Sequence, residues 1–343
     1  MYASYHRKRL LALRMWVLLC SGNGWHAVAA RSVAAEEEKE PAIFTFTIEN
    51  DAVADTDKHY TNGVRFSYLH EENSEPVWLR QLAERWTGLR EGESHRFEYA
   101  LGQHIYTPED TESTEFIADD RPYAGWLYTS LGLAISRKKA FDQFEINVGV
   151  IGPLSFAEQT QNTIHRWTSS GVAQGWDHQI SNEPTLQLSF QRNWWVFRNE
   201  EFAGLRWDVI PHAGFTVGNA VDAGNVGITL AMGSGSIGSY GLPRIGFPKP
   251  GCGYFRAGKG WSWKIYTTAE GGFIGHNIFL DDSLFRNSDF SLGRDKWGEE
   301  IHAGFVVTIR RFKLSYTHIW RSKEFKSQSK GETYGALSLS YAL

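Results

Sequence analysis

Apolar and polar residues trade places at period two along much of the chain. Phe44-Thr45-Phe46-Thr47-Ile48 and Val64-Arg65-Phe66-Ser67-Tyr68 both follow this pattern. Near the last residue, Leu337, Leu339, Tyr341 and Leu343 share one face, while Ala336, Ser338, Ser340 and Ala342 share the other. Such alternation marks a strand whose two faces meet different surroundings. One face is repeatedly polar or small, and few segments are apolar on both. That combination fits a closed sheet with lipid outside and a polar lumen within. The pattern predicts strands at 42–50, 62–70, 95–106, 124–136, 142–152, 184–197, 202–218, 224–234, 260–275, 298–310, 312–321 and 332–343. Most reach the roughly nine to eleven residues that a tilted transmembrane strand needs. The expected fold class is therefore all-β, an antiparallel transmembrane β-barrel of about twelve strands.

Strand parity then sorts the connections. With the first strand starting on the periplasmic side, the connections 51–61, 107–123, 153–183, 219–223, 276–297 and 322–331 face the cell exterior. The polar clusters fall on that side. They include Asn50, Asp51, Asp55, Asp57, Thr61 and Asn62, then Asp119-Asp120-Arg121-Pro122-Tyr123, then His276-Asn277 and Lys323-Glu324-Phe325. In the third outer connection, Ser155-Phe156-Ala157-Glu158 reads as a capping box opening a short helix. Gln161 and His165 lie four apart on one face of that helix. On the periplasmic side, Val77–Trp86 has the spacing of a short amphipathic helix, and 235–259 reads as irregular.

Composition narrows this picture. The 343 residues carry a net charge of -4, which gives no reason to expect nucleic acid as a partner. Trp, Tyr and Phe make up 14% of the chain, as suits a barrel edged by aromatic girdles. Basic residues His6-Arg7-Lys8-Arg9, the apolar stretch from Met15 to Cys20, and small residues at Ala27-Val28-Ala29 or Val33-Ala34-Ala35 predict an export signal peptide over 1–35. The barrel domain then spans 36–343, and Cys252 remains as a single cysteine with no partner for a disulfide.

Several residues could carry chemistry. A histidine can act as general base near neutral pH, so His165 is a candidate, with Gln161 orienting it or a water. Asp51, Asp55 and Asp57 are hard oxygen donors suited to calcium, although their spacing is not that of an EF-hand. Asn62-Gly63 reads as a turn ending. Arg121, Lys58 and Arg166 are candidate phosphate contacts. No Gly-x-Ser-x-Gly elbow occurs.

Taken in order along the chain, these pieces resemble a known family. They are Glu49-Asn50-Asp51 with Asp57, Tyr60-Thr61-Asn62-Gly63, Tyr106-Thr107-Pro108, Asp120-Arg121-Pro122-Tyr123-Ala124-Gly125-Trp126, and Gly149-Val150-Ile151-Gly152-Pro153. Then come Gln161 with His165, Gly175-Trp176, Gly218-Asn219, His276-Asn277-Ile278-Phe279-Leu280-Asp281, and Lys323-Glu324-Phe325 with Gln328. Over nearly the whole mature chain the sequence resembles the lipid A 3′-O-deacylases of Gram-negative outer membranes. The resemblance implies a calcium-dependent esterase that removes the 3′-linked acyloxyacyl chain of lipid A. It assigns Asn50, Asp51, Gln161 and His165 to the active site and leaves the calcium ligands unassigned. Arg121 and Lys58 are the candidate substrate contacts, lipopolysaccharide in the outer leaflet the partner, and a monomer in the outer membrane the expected state. Two other readings stand beside it: an outer-membrane phospholipase, and a channel or structural barrel without enzymatic activity.

Overall fold

The computed structural model describes residues 39–343 apart from 52–58, 91–92, 169–170, 200–203, 235–252, 259, 282 and 286–291. The expected leader over 1–35 and the candidates Asp55, Asp57, Lys58 and Cys252 lie outside the described residues. Twelve long strands form the wall: β1 (Ile43–Asn50), β2 (His59–Leu69), β3 (Ser94–Thr107), β4 (Ala124–Ser136), β5 (Ala140–Ile151), β6 (Glu183–Trp194), β7 (Arg206–Gly218), β8 (Val221–Ser234), β9 (Trp261–Asn277), β10 (Trp297–Ile309), β11 (Phe312–Arg321) and β12 (Glu332–Ala342). Each pairs antiparallel with the next in sequence. β12 pairs with β1, from Ile43 opposite Ala342 to Asn50 opposite Gly335, and this closes the barrel. A two-residue piece, Phe197–Arg198, extends the edge of β7. Among the described residues no helix is long and apolar enough to cross a membrane.

The alternation seen in the sequence is the alternation between the two sides of this wall. On β1, Thr45, Thr47 and Glu49 are buried and face the lumen, whereas Phe44 is exposed on the outer face. Thr45 and Thr47 meet Ser340 and Ser338 through their hydroxyls, at 2.9 and 3.0 Å. Deeper in the lumen Arg65 reaches Glu145 with two hydrogen bonds, of 3.2 and 2.7 Å. Buried charges are paired in this way because an isolated one costs too much to desolvate.

Side chains of the chain's own connections fill both ends of the lumen. We call the end carrying the connections after β1, β3, β5, β7, β9 and β11 the upper end. There Ile278 and Phe279 fold inward among Tyr106, Trp126, Tyr128, Ile319 and Tyr334, and Phe279 stacks on Tyr106 at 4.3 Å. At the lower end Tyr254 and Phe255 pack against Ile43, Leu69, Phe141 and Ala342. Lys313 donates to the Gly253 carbonyl at 3.0 Å and fastens that segment.

Two helices lie against the outside of the wall. α1 (Val77–Thr87) buries Leu79 and Ala83, with Leu89, over Phe97, Leu133 and Ile135 at the lower end of β3 and β4. Gly88, at φ 65°, ends it in the left-handed conformation that glycine adopts without strain. α2 (Ala157–Thr168) crosses the same two strands at the upper end.

Candidate active site

The position of α2 follows from strand parity. On β4 the even residues Trp126, Tyr128 and Ser130 face the lumen, so Gly125 faces outward. A β-carbon at Gly125 would overlap both Ser155 Oγ and the Ala157 methyl, so the absence of a side chain lets the start of α2 rest directly on the wall. Gln103, also outward, donates to the Ser155 carbonyl at 2.6 Å. Ile105 of β3 packs with Ala157, Ala173, Trp176 and Tyr123 beneath the helix.

The helix does not begin as the capping box would have it. Pro153–Ser155 form a 3₁₀ turn, and the Ser155 hydroxyl donates to the Gly152 carbonyl at 2.6 Å. The residue before α2 is Phe156, at φ 58°, whose carbonyl accepts from the Thr160 backbone and hydroxyl. Ser155 is thus used up in the preceding turn and is not available to cap. The helix itself, and the shared face of Gln161 and His165, stand as the spacing predicts.

Both side chains turn inward from solvent, Gln161 at 2% and His165 at 7% exposure. Trp176 Nε1 donates to Gln161 Oε1 at 2.9 Å. An indole can only donate, so this bond fixes which way the amide points. It leaves the Gln161 NH2, also buried, with no hydrogen-bond partner among the described residues. His165 Nδ1 lies 2.5 Å from the Gly171 carbonyl. A carbonyl can only accept, so Nδ1 carries the proton and Nε2 of the neutral ring keeps its lone pair. The arrangement presents one amide donor and one imidazole acceptor from successive turns of a single helix.

Asn50 ends β1 at the same level. Asn50 pairs with Asn62, Asn62 with Ile105, and Ile105 with Gly125, giving a transverse row across four strands on the outer face. With strands roughly 4.8 Å apart, the row spans about 14 Å. It meets the floor of α2 at Ile105 and Gly125, and Ile105 shares its cluster with Trp176, the donor to Gln161. Asn62 is 93% buried although its parity faces it outward. The expected turn ending at Asn62-Gly63 is instead the interior of β2, with a bulge between Tyr60 and Asn62. Asp51, the next residue after β1, is buried as well. Asn50, Asp51, Gln161 and His165 thus occupy one end of the barrel, the first pair ending β1 and the second on the buried face of α2.

The substrate contact expected at Arg121 is placed differently. Its guanidinium is buried inside the upper mouth, over the ring of lumen-facing Tyr106 at 5.2 Å, on the other side of the wall from α2. It donates to Glu324 at 2.6 Å and lies 3.8 Å from Glu332. Burial opposes its charge, but Glu324 and Glu332 outweigh burial and raise its pKa. Burial likewise pushes Glu324 up, and Arg121 and Arg321 outweigh that and hold it below the usual carboxylate range. Arg121 therefore ties the connection before β4 to the connection after β11. Arg166 lies exposed at the end of α2.

Sequence reasoning gave no role to Trp176, Gln103 or the Gly171 carbonyl. The contribution of Gly171 comes from its backbone, which leaves no trace in residue type. Among the described residues no three His, Cys, Asp or Glu side chains converge as a metal site. Asp51, next to the row, carries a buried carboxylate of the kind calcium accepts together with backbone and amide oxygens.

A family model described as outer membrane protein LpxR matches residues 18–343. Among solved structures, LpxR from Salmonella typhimurium is similar at a TM-score of 0.70 and 17% identity, covering 88% of this chain and 100% of that one. The β domain of the Bordetella autotransporter BrkA aligns over 89% of this chain and 99% of its own, at 10% identity and a TM-score of 0.42. No curated protein matches the chain.

Proposed function

The chain belongs to the LpxR family of outer-membrane proteins, and from that membership we propose that it is a lipid A 3′-O-deacylase acting at the outer face of its own barrel wall. The observation that carries the reading is the pair under α2: a buried imidazole whose Nδ1 is committed to Gly171, beside a buried amide whose NH2 has no partner. An acyl chain in the membrane can approach such a site from the lipid side of β3 and β4 without entering the lumen.

In the proposed reaction His165 Nε2 takes a proton from water as the water oxygen attacks the ester carbonyl carbon. The Gln161 NH2 donates toward the oxygen that becomes negative, which a preorganised donor stabilises in a water-poor site. The carbonyl then re-forms and the bond to the sugar oxygen breaks. The proton on His165 passes to that oxygen, giving a free hydroxyl and a fatty acid. Asn50 positions the substrate. Asp51 would hold the expected calcium ion, which when bound would polarise the ester carbonyl.

The test is His165→Ala in purified protein with lipid A. Loss of a general base lowers the rate by about 10²- to 10⁴-fold, read by mass spectrometry as retention of the 3′ acyl group. Undiminished release would remove His165 from the mechanism, and release of acyl groups from phospholipid but not from lipid A would favour a phospholipase. Chelation followed by readdition of calcium tests the cation separately.

A further inference from the structure

The lower helix has more apolar surface than the barrel covers. Leu79 and Ala83 are buried on the wall, but Trp78, Leu82 and Trp86, spaced four apart, form a second ridge along α1. Trp78 is 65% exposed and Trp86 77%, with Leu82 between them also exposed. On a helical projection this ridge adjoins the buried pair, so the two make one continuous apolar arc. The polar side opposite carries Gln81 and the ion pair of Arg80 with Glu84, at 3.1 Å.

The ridge also continues a surface already assigned to lipid. α1 lies over Phe97, Leu133 and Ile135, and on the same strands toward the upper end Tyr99 and Leu101 are exposed outward. On neighbouring β5, Ile146 and Val148 are exposed on the same face. In an outer-membrane barrel that face meets acyl chains. A helix with an apolar arc, two tryptophans along it and charges on the other side suits the boundary between headgroups and acyl chains.

We propose that α1 is an interfacial anchor, its Trp78–Leu82–Trp86 ridge seated in the headgroup region of the phospholipid leaflet at the lower end of the barrel. It holds the lower edge of the β3–β4 panel at a fixed depth, while α2 covers the upper edge of the same panel. The occupant of the ridge is a lipid surface, because the ridge runs on from the lipid-facing wall.

The test is spin labelling of the folded full-length barrel in phosphatidylethanolamine–phosphatidylglycerol vesicles. Single cysteines replace Trp78, Leu82, Trp86, Gln81 or Glu84 in a Cys20→Ser, Cys252→Ser background, and heat-modifiable electrophoretic mobility confirms that each variant is folded. The ratio of oxygen to nickel-chelate collision rates is expected to be about threefold or more higher at 78, 82 and 86 than at 81 and 84, as an interfacial helix requires. Equal ratios at all five positions would place the ridge in water and overturn the proposal. Labels at 78, 82 and 86 that are immobilised and shielded from both reagents would instead show a protein on the ridge, and would overturn it too.

Discussion

The two helices on the β3–β4 panel are built alike and used differently. Each is short, lies outside the wall, and buries one face on the same pair of strands. Under α1 the buried side chains are Leu79 and Ala83, whose packing asks for nothing beyond shape. Under α2 they include Gln161 and His165, polar groups whose burial is costly unless partners are supplied. Trp176 and the Gly171 carbonyl supply those partners in part, and each fixes the orientation of one group. Burying polar groups where apolar ones would pack at less cost is what the catalytic role proposed for α2 requires. A helix that buries leucine and alanine has been arranged for attachment.

The sharpest way to break this comparison is Gly125→Leu, which puts a side chain into the seat of α2. Deacylation should fall by about 10³-fold or more, roughly 4 kcal/mol of transition-state stabilisation, while the barrel keeps its heat-modifiable mobility. A variant retaining activity would show that α2 need not touch the wall. The counterpart at the lower end is Leu79→Ala. It should weaken the docking of α1 by about 2 kcal/mol, seen as faster hydrogen exchange across 77–87 with turnover unchanged. A smaller effect on stability is expected from Gln161→Leu, about 1–2 kcal/mol, because it strands the Trp176 N–H. Its larger effect is on turnover, a fall in kcat of about 10²- to 10³-fold from loss of the proposed oxyanion donor, with KM little changed. The smallest belongs to Arg80→Ala on the exposed side of α1, about 0.3 kcal/mol or less by thermal denaturation.

Much of the wall was legible because a two-faced strand must alternate. β4 runs over 124–136 and β11 over 312–321, as the pattern predicts, and β1 differs by one residue at its start. The long strand β9 continues to Asn277, beyond the expected 275, because His276 and Asn277 still pair with Asp222 and Val221 past an irregularity after Ile274. The amphipathic spacing found α1, and the Ser155–Glu158 pattern found α2, although Ser155 does not cap it. Parity put Asn50 and the Gln161/His165 pair at one end of the barrel. What the pattern did not reveal is the side of the wall. That depends on Gly125 facing outward, a matter of register within β4 that no loop residue reports. Arg121 read as a candidate phosphate contact of the substrate, and its connection turns it into the lumen beside Glu324. Asn62 was hidden in an Asn-Gly pair that ordinarily signals a turn and here stands in a strand.

The seam between β1 and β12 sets a condition on assembly. Asn50 has Asn62 on one side and Gly335 on the other, so its place in the row is held from both flanks. The second flank, and the Thr45–Ser340 contact 295 residues apart in sequence, form once the last strand of the wall has been inserted beside the first. An unclosed barrel can carry every candidate side chain and still leave Asn50 and Asp51 on a loose edge. Appearance of activity would then serve as a clock for barrel closure, and a chain stalled during insertion would be silent toward the lipids around it.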